Sequence, residues 1–167
     1  MTWLIVALAV ILLCFSGVLL VGAPYLPTLT PQVAAALELA ALRPGETLLE
    51  LGCGDGKVLI AAAQQGYRAV GYELNPILAA VAWLRTRRYR RLVRVVCANF
   101  WTTEWPPTDA IFTFLLPKYM NKLDTIIAQN VQKPVKLVSF AFKLPDRPID
   151  DEKAGVYLYN YGLKAKN

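Results

Sequence analysis

The chain has 167 residues, room for one domain of ordinary size, and combines a net charge of +6 with 56 % hydrophobic residues. It contains no histidine and three cysteines, Cys14, Cys53 and Cys97. That composition excludes His-based triads, His general bases, a disulfide framework and the usual zinc sites, and it suits a reducing compartment.

Residues 1–22 account for the high apolar content. No charged side chain precedes Glu38, and Trp3 to Val21 is an almost continuous run of Leu, Ile, Val, Ala and Phe. Twenty such residues at a rise of about 1.5 Å each span the roughly 30 Å hydrocarbon core of a bilayer. A cleaved signal peptide would carry a basic start and a shorter apolar core, so an uncleaved single-pass anchor is expected. The basic domain behind it then lies on the cytoplasmic side of a bacterial inner membrane, or faces inward from an organelle inner membrane. Residues 23–45 read as a hinge and a pre-domain helix, and 46–167 as the main domain. Pro24, Pro27 and Pro31 keep the hinge stiff and extended. Thr30 is expected as an N-cap with Pro31 as the first helical residue, and Val33, Leu37, Ala40 and Ala41 as the buried face.

The domain opens with a βαβ unit. Thr47 to Leu51 is an apolar strand that ends in Glu50-Leu51-Gly52-Cys53-Gly54-Asp55-Gly56. Lys57 to Gln65 follows as a helix, and Ala69 to Tyr72 as a strand leading to Glu73. Alternate glycines let the backbone turn sharply and approach a ligand, and a carboxylate about twenty residues on can take both ribose hydroxyls. The spacing decides between nucleosides. A dinucleotide fingerprint needs glycine where Lys57 stands, whereas an acid two residues before the first glycine suits a ligand carrying an amine and a sulfonium. The competing readings are a nicotinamide or flavin nucleotide, and glycines that serve a tight turn alone.

Asn75 and Pro76 then start a helix running to about Arg88 as N-cap and first residue. Residues 85–94 hold six arginines and no acid. They read as a solvated helix end, as a contact for anionic lipid headgroups, or, less well for want of interleaved aromatics, as a nucleic-acid contact. Leu92 to Cys97 is the third strand, followed by Asn99-Phe100-Trp101. Asp109 to Leu116 is a buried fourth strand and Pro117 opens a helix. Val135 to Phe142 is the fifth strand, and Gly155 to Tyr161 a half-buried last one after a polar loop. Alternating strands and helices give a doubly wound α/β sheet, whose ligands sit beyond the carboxyl ends of the strands. Glu50–Gly56, Glu73–Asn75, Asn99–Trp101 and Leu115–Pro117 all fall there. Each has a plainer account too: Asn75 as a simple N-cap, Phe100, Trp101 and Phe114 as core, and Tyr25 as a membrane-interface aromatic.

The segments PYLPT, LELGCGDGKVLIAAA, GYELNP, NFW and FLLPKYM, behind an apolar N-terminal run, resemble one family. It is that of the membrane-anchored, S-adenosylmethionine (SAM)-dependent class I methyltransferases that modify lysines of the ATP synthase c-subunit and the adenine nucleotide translocase. The resemblance runs from about Pro24 to Tyr161. It implies a Rossmann-like class I methyltransferase fold with SAM as cofactor; the lack of histidine and of a cysteine cluster leaves no metal expected. It also implies that Glu50, Gly52, Cys53 and Gly54, with Asp55 in the same loop, cradle the methionine end. By the same resemblance Glu73 holds the ribose and Leu74 packs on the adenine. Asn99 and Phe100 match an Asp-Leu-Trp segment, and the Asn99 carbonyl oxygen is expected to meet the adenine amino group. Tyr25, Pro27 and Thr28 match a segment that folds over the cofactor. The chain departs from the family in its short tail, which lacks a tryptophan near Pro148, and in its arginine run.

The expected activity is N-methylation of a lysine in an integral membrane protein, with the ATP synthase c-subunit as one such acceptor. Tyr25, Trp101, Phe114 and Tyr119 are expected to form an aromatic mouth that desolvates the acceptor amine; no residue suggests itself as a general base. Alternatives are a lipid, small-molecule or nucleic-acid acceptor, or a SAM-binding membrane protein without turnover. A nucleic-acid partner is not expected, since the fourth strand lacks the Asn/Asp-Pro-Pro-aromatic run that holds a flipped base.

Overall fold

The computed structural model describes residues 2–6, 26–130 and 133–162. Residues 2–6 are helical with exposed side chains. The remainder of the expected anchor, together with Tyr25 and Cys14, lies outside the described residues. Among the described residues no helix is long and apolar enough to cross a membrane.

The rest forms one α/β unit. In chain order it comprises α1 (Thr30–Ala40), β1 (Thr47–Leu51), α2 (Lys57–Gln64), β2 (Arg68–Glu73), α3 (Pro76–Thr86), β3 (Val93–Cys97) and β4 (Ala110–Thr113). Then come α4 (Met120–Asn130), β5 (Val135–Phe140), β6 (Asp151–Lys153) and β7 (Val156–Tyr161). The sheet order is β3-β2-β1-β4-β5-β7-β6. β1 to β5 are parallel, while β7 runs antiparallel to both β5 and β6. The chain winds outward from β1 through β2 to β3, then returns to β4 on the other side of β1. The topological switch point therefore lies between β1 and β4, where an open sheet leaves its crevice. The expected doubly wound sheet is present.

Strand alternation splits the core into two layers. Leu48, Ala69, Phe112 and Val138 face one way, against apolar residues of α1, α2 and α3. Leu49, Leu51, Ile111 and Leu137 face the other way, against Met120, Leu123 and Ile127 of α4. The pre-domain helix α1 packs into the first layer through Val33, Ala36, Leu37 and Ala40.

Several boundaries differ from the sequence expectation, each for a local reason. Thr30 is the first helical residue rather than the cap; Leu29 takes the cap position without a side-chain hydrogen bond. Ala41 leaves the buried face, because it ends α1 in the left-handed region at φ 43°. β4 stops at Thr113, well before Leu116, and Leu116 is extended ahead of Pro117, which opens a 3₁₀ turn before α4. β5 stops at Phe140, where Ala141 turns the chain at φ 68°. α3 ends at Thr86 in a 3₁₀ turn, Arg87–Tyr89. β6 falls inside the expected polar loop: its Asp-Glu-Lys is wholly exposed, so no apolar alternation marks it. Charged residues on such an edge discourage pairing with a further strand.

Candidate functional site

The glycine loop is built by the end of β2. The amides of Gly52 and Cys53 both donate to the Tyr72 carbonyl, each at 2.9 Å, so the chain folds over as soon as it leaves β1. Gly52, Gly54 and Gly56 have φ of 85°, 52° and 78°, the left-handed region where a side chain would be strained. Glu73 holds the loop from below. Its Oε2 accepts from the Gly54 amide at 2.8 Å and its Oε1 from the Asn75 amide at 2.8 Å. One buried carboxylate thus fixes both the glycine loop and the start of α3, and each oxygen keeps a second lone pair for a hydroxyl donor. Asn75 caps α3 as expected, its Oδ1 accepting from Ile77 N at 2.9 Å and Leu78 N at 3.3 Å.

Glu50 is the contrasting acid. It is 4 % exposed, and its Oε2 has no hydrogen-bond partner. Burial first, and then the neighbouring Glu73 charge, push its carboxyl well above the ordinary glutamate range. A buried carboxylate oxygen left unpaired is costly unless a cationic donor meets it. Burial, with Glu50 and Glu73 beside it, also pushes the Cys53 thiol far up, so Cys53 is an inert packing group and not a nucleophile.

Sequence reasoning missed Gly71. It sits opposite Glu50 in the β1–β2 register. A Cβ there would lie 2.6 Å from Leu59 Cδ1 and 2.7 Å from both Cβ and Sγ of Cys53. The bare backbone at this point lets the loop and α2 lie down on the sheet. A glycine inside a strand pattern was the available signal.

The other expected residues are placed as follows. Asp55 turns away from β1 to form an ion pair with Arg85 of α3, and its Oδ1 accepts from Lys57 N at 3.2 Å. Lys57 Nζ donates to the Thr28 carbonyl at 2.9 Å, which draws the segment before α1 onto the glycine loop. Thr28 is buried there and Pro27 exposed. Leu74 is half-buried between Glu73 and Asn75. Phe100 is buried beyond β3, and Asn99 Oδ1 accepts from Trp101 N at 3.0 Å. The 99–108 loop is pinned by Trp105 Nε1 on the Phe100 carbonyl at 2.8 Å and Tyr72 Oη on the Glu104 carbonyl at 3.0 Å.

The aromatic mouth divides in two. Trp101 packs between Phe100 at 4.6 Å and Tyr119 at 5.8 Å, centroid to centroid. Phe114 joins Phe140 at 4.5 Å and Phe142 at 6.2 Å instead. Ammonium groups already lie over the first group: Lys122 Nζ at 4.5 Å from the Trp101 centroid and Lys118 Nζ at 4.8 Å from that of Tyr119.

Among the described residues, four buried side-chain polar atoms lack a partner, and three of them lie at strand carboxyl ends: Glu50 Oε2, Asn75 Nδ2 and Thr113 Oγ1. The acceptor set at this edge, an unpaired buried carboxylate oxygen beside a glycine loop and a second acid with free lone pairs, fits a nucleoside bearing a cationic amine.

The ANTKMT methyltransferase domain family matches residues 50–151, from Glu50 to the start of β6. The chain belongs to this family. Among its relatives is the lysine N-methyltransferase of the ATP synthase c-subunit from Xenopus laevis, 32 % identical over 127 residues, covering 74 % of this chain and 55 % of that protein. A protein-lysine N-methyltransferase of Saccharolobus islandicus (strain REY15A) is 28 % identical over 151 residues, covering 83 % of this chain and 94 % of that one. An RNA methyltransferase of Salinibacter ruber, solved with S-adenosyl-L-homocysteine, superposes with a TM-score of 0.74 at 28 % identity. The superposition covers 81 % of this chain and 92 % of that one. The chain spans about half the length of the vertebrate ATP synthase methyltransferases it matches. The expected methyltransferase family and Rossmann-like α/β fold hold. For this methyltransferase domain, the matched range contains the glycine loop, both acids, the aromatic groups and the arginine run.

Proposed function

We propose that this chain binds SAM at the carboxyl edge of β1, β2 and β3 and methylates a lysine nitrogen of an integral membrane protein. The observation that carries the cofactor is the pair of acids. Glu73, locked by Gly54 and Asn75, would take the ribose hydroxyls, and Glu50 Oε2 would receive the amino-acid ammonium. Gly52, Cys53 and Gly54 would line the methionine end, with Asp55 holding the loop to α3. Leu74 would pack on the adenine; Asn99 would address its amino group and Phe100 its edge. Tyr25, Pro27 and Thr28 would close over the cofactor from the segment that Lys57 tethers.

When bound, SAM supplies an electrophilic methyl group on a sulfonium. The chain's part is alignment of the acceptor nitrogen with that group, and desolvation. A free lysine titrates near 10.4, and only its neutral form attacks. Trp101 and Tyr119 are suited to hold the acceptor's alkyl chain and ammonium, and an apolar, already cationic surrounding lowers the amine's pKa. Lys118 and Lys122 supply those cations.

The acceptor is proposed from the relatives' names, with the ATP synthase c-subunit as the first candidate. Residues 1–22 would anchor the chain in the same bilayer, 23–45 connect, and 46–167 carry the reaction, in the bacterial cytoplasm or inside an organelle. Anchoring raises the effective concentration of a membrane acceptor without any new contact. The arginine run is proposed as a second membrane contact. A second reading, RNA methylation, is favoured by the Salinibacter ruber neighbour. The apolar segment just past β4, Phe114-Leu115-Leu116-Pro117, argues against it, since its side chains offer a base no polar partner.

The test uses the full chain in detergent. Calorimetric titration with SAM and S-adenosylhomocysteine is expected to give micromolar binding that Glu73→Ala abolishes. Labelled SAM with native membranes is then expected to mark a small membrane protein on lysine. Label on RNA alone would replace the lysine reading, and no binding by the folded chain would remove both.

A further inference from the structure

We infer that the second half of α3, with the arginine-rich turn after it, docks on an anionic bilayer. Val81, Trp83 and Leu84 insert at the acyl–headgroup boundary, and Arg87, Arg88, Arg90 and Arg91 meet lipid phosphates. This rests on the membrane contact proposed for the arginine run and deepens it by naming the helix face and the lipid class; it requires neither SAM nor a lysine acceptor.

The helix itself poses the question. α3 buries a narrow stripe of small side chains, Ala79, Ala82 and Thr86. A helix on the surface of a globular domain normally carries polar and charged residues on its other face. Here the other face has Val81, Trp83 and Leu84 at 39, 65 and 54 % exposure. Pro76 to Thr86 contains no acid at all. Trp83 is large, apolar in body and polar at one edge, the type enriched where membrane meets water.

The charges complete the pattern. Arg85 pairs with Asp55. Among the described residues no carboxylate pairs with Arg87, Arg88, Arg90 or Arg91. Basic residues flanking exposed Trp and Leu on one helix are the composition of an interfacial helix. Nucleic acid would use the arginines, but aliphatic Val81 and Leu84 would gain nothing from a phosphate backbone.

A second apolar patch is tied to the same loop. Leu26 and Leu29 are 58 and 60 % exposed in the extended segment before α1. That segment is held to the glycine loop by Thr28 and Lys57, at 2.9 Å, and the end of α3 is held to it by Arg85 and Asp55. Leu26 also follows the apolar run Trp3–Val21 by a few residues. Docking therefore sets the cofactor loop close to the bilayer.

The full chain reconstituted in nanodiscs tests this. Discs of phosphatidylcholine alone are compared with discs containing phosphatidylglycerol, both with brominated acyl chains that quench tryptophan. The expected result is extra quenching in the anionic discs, above the background that Trp3 gives in both, and Trp83→Phe removes that extra part. High salt is expected to reverse it, and each of Arg90→Gln and Arg91→Gln to weaken docking about fivefold. Amide exchange over residues 80–91 is expected to slow in anionic discs, which decides the matter without any variant. Equal exchange and equal quenching in both discs would overturn the inference. So would protection of residues 80–91 by single-stranded RNA with none by anionic lipid.

Discussion

Glu50→Gln offers the sharpest test of the site. In the absence of ligand, burial and Glu73 raise the folded-state pKa of Glu50. In the unfolded chain the group titrates near the ordinary value of about 4.3. Between these two values the folded state holds a proton that the unfolded state has released. Stability is then fully present below about pH 4.3 and falls as pH rises, by about 1.4 kcal/mol per pH unit, until the folded-state pKa is reached. Glutamine keeps the shape and cannot ionise, so this slope disappears in the variant. Binding runs the opposite way. A cationic amine at Oε2 favours the charged carboxylate, and loss of a charge-assisted hydrogen bond of about 1.5–3 kcal/mol weakens binding roughly 10- to 150-fold. The assay is denaturant unfolding between pH 5 and 8 for both proteins, with and without SAM. The expected outcome is a variant more stable than wild type without ligand at pH 8, and a wild type with the larger gain on adding SAM. Parallel pH curves for the two proteins would refute the reasoning.

Gly71→Ala places a methyl group 2.6 Å from Leu59 Cδ1, and a lowered melting temperature corresponding to about 1–3 kcal/mol of overpacking is expected. Glu73→Gln puts an amide donor against one of two backbone amides, so about 1–3 kcal/mol of stability is lost along with cofactor binding; calorimetry and unfolding on the same sample check both. Arg85→Gln removes an ion pair with side chains 41 and 22 % exposed, and a change below about 1 kcal/mol in unfolding free energy is expected. Trp101→Ala is expected to raise KM for the protein acceptor while SAM affinity stays unchanged. If Tyr119→Phe and Phe114→Ala both leave turnover unaltered, neither aromatic group serves the acceptor.

What the sequence determined by itself was the local chemistry of the βαβ unit. The glycine spacing, the acid ahead of it, Glu73 and the Asn75-Pro76 helix start are short-range signals, and each fixes its own backbone within a few residues. Apolar periodicity likewise revealed the buried strands, because burial on both faces leaves an uninterrupted run. The tertiary structure decided what depends on partners distant in the chain. Gly71 matters because Leu59 and Cys53 come down on it, Asp55 faces Arg85 because α3 packs beside α2, and Phe114 joins Phe140 because β4 pairs with β5. The edge strand β6 forms through its pairing with β7, since Asp151–Lys153 has no apolar pattern of its own. Two acids at the ends of buried strands look alike in one dimension. Folding satisfies both oxygens of Glu73 with backbone amides and leaves Glu50 Oε2 unpaired, because the amides of Gly54 and Asn75 converge on Glu73 while no donor reaches the second oxygen of Glu50.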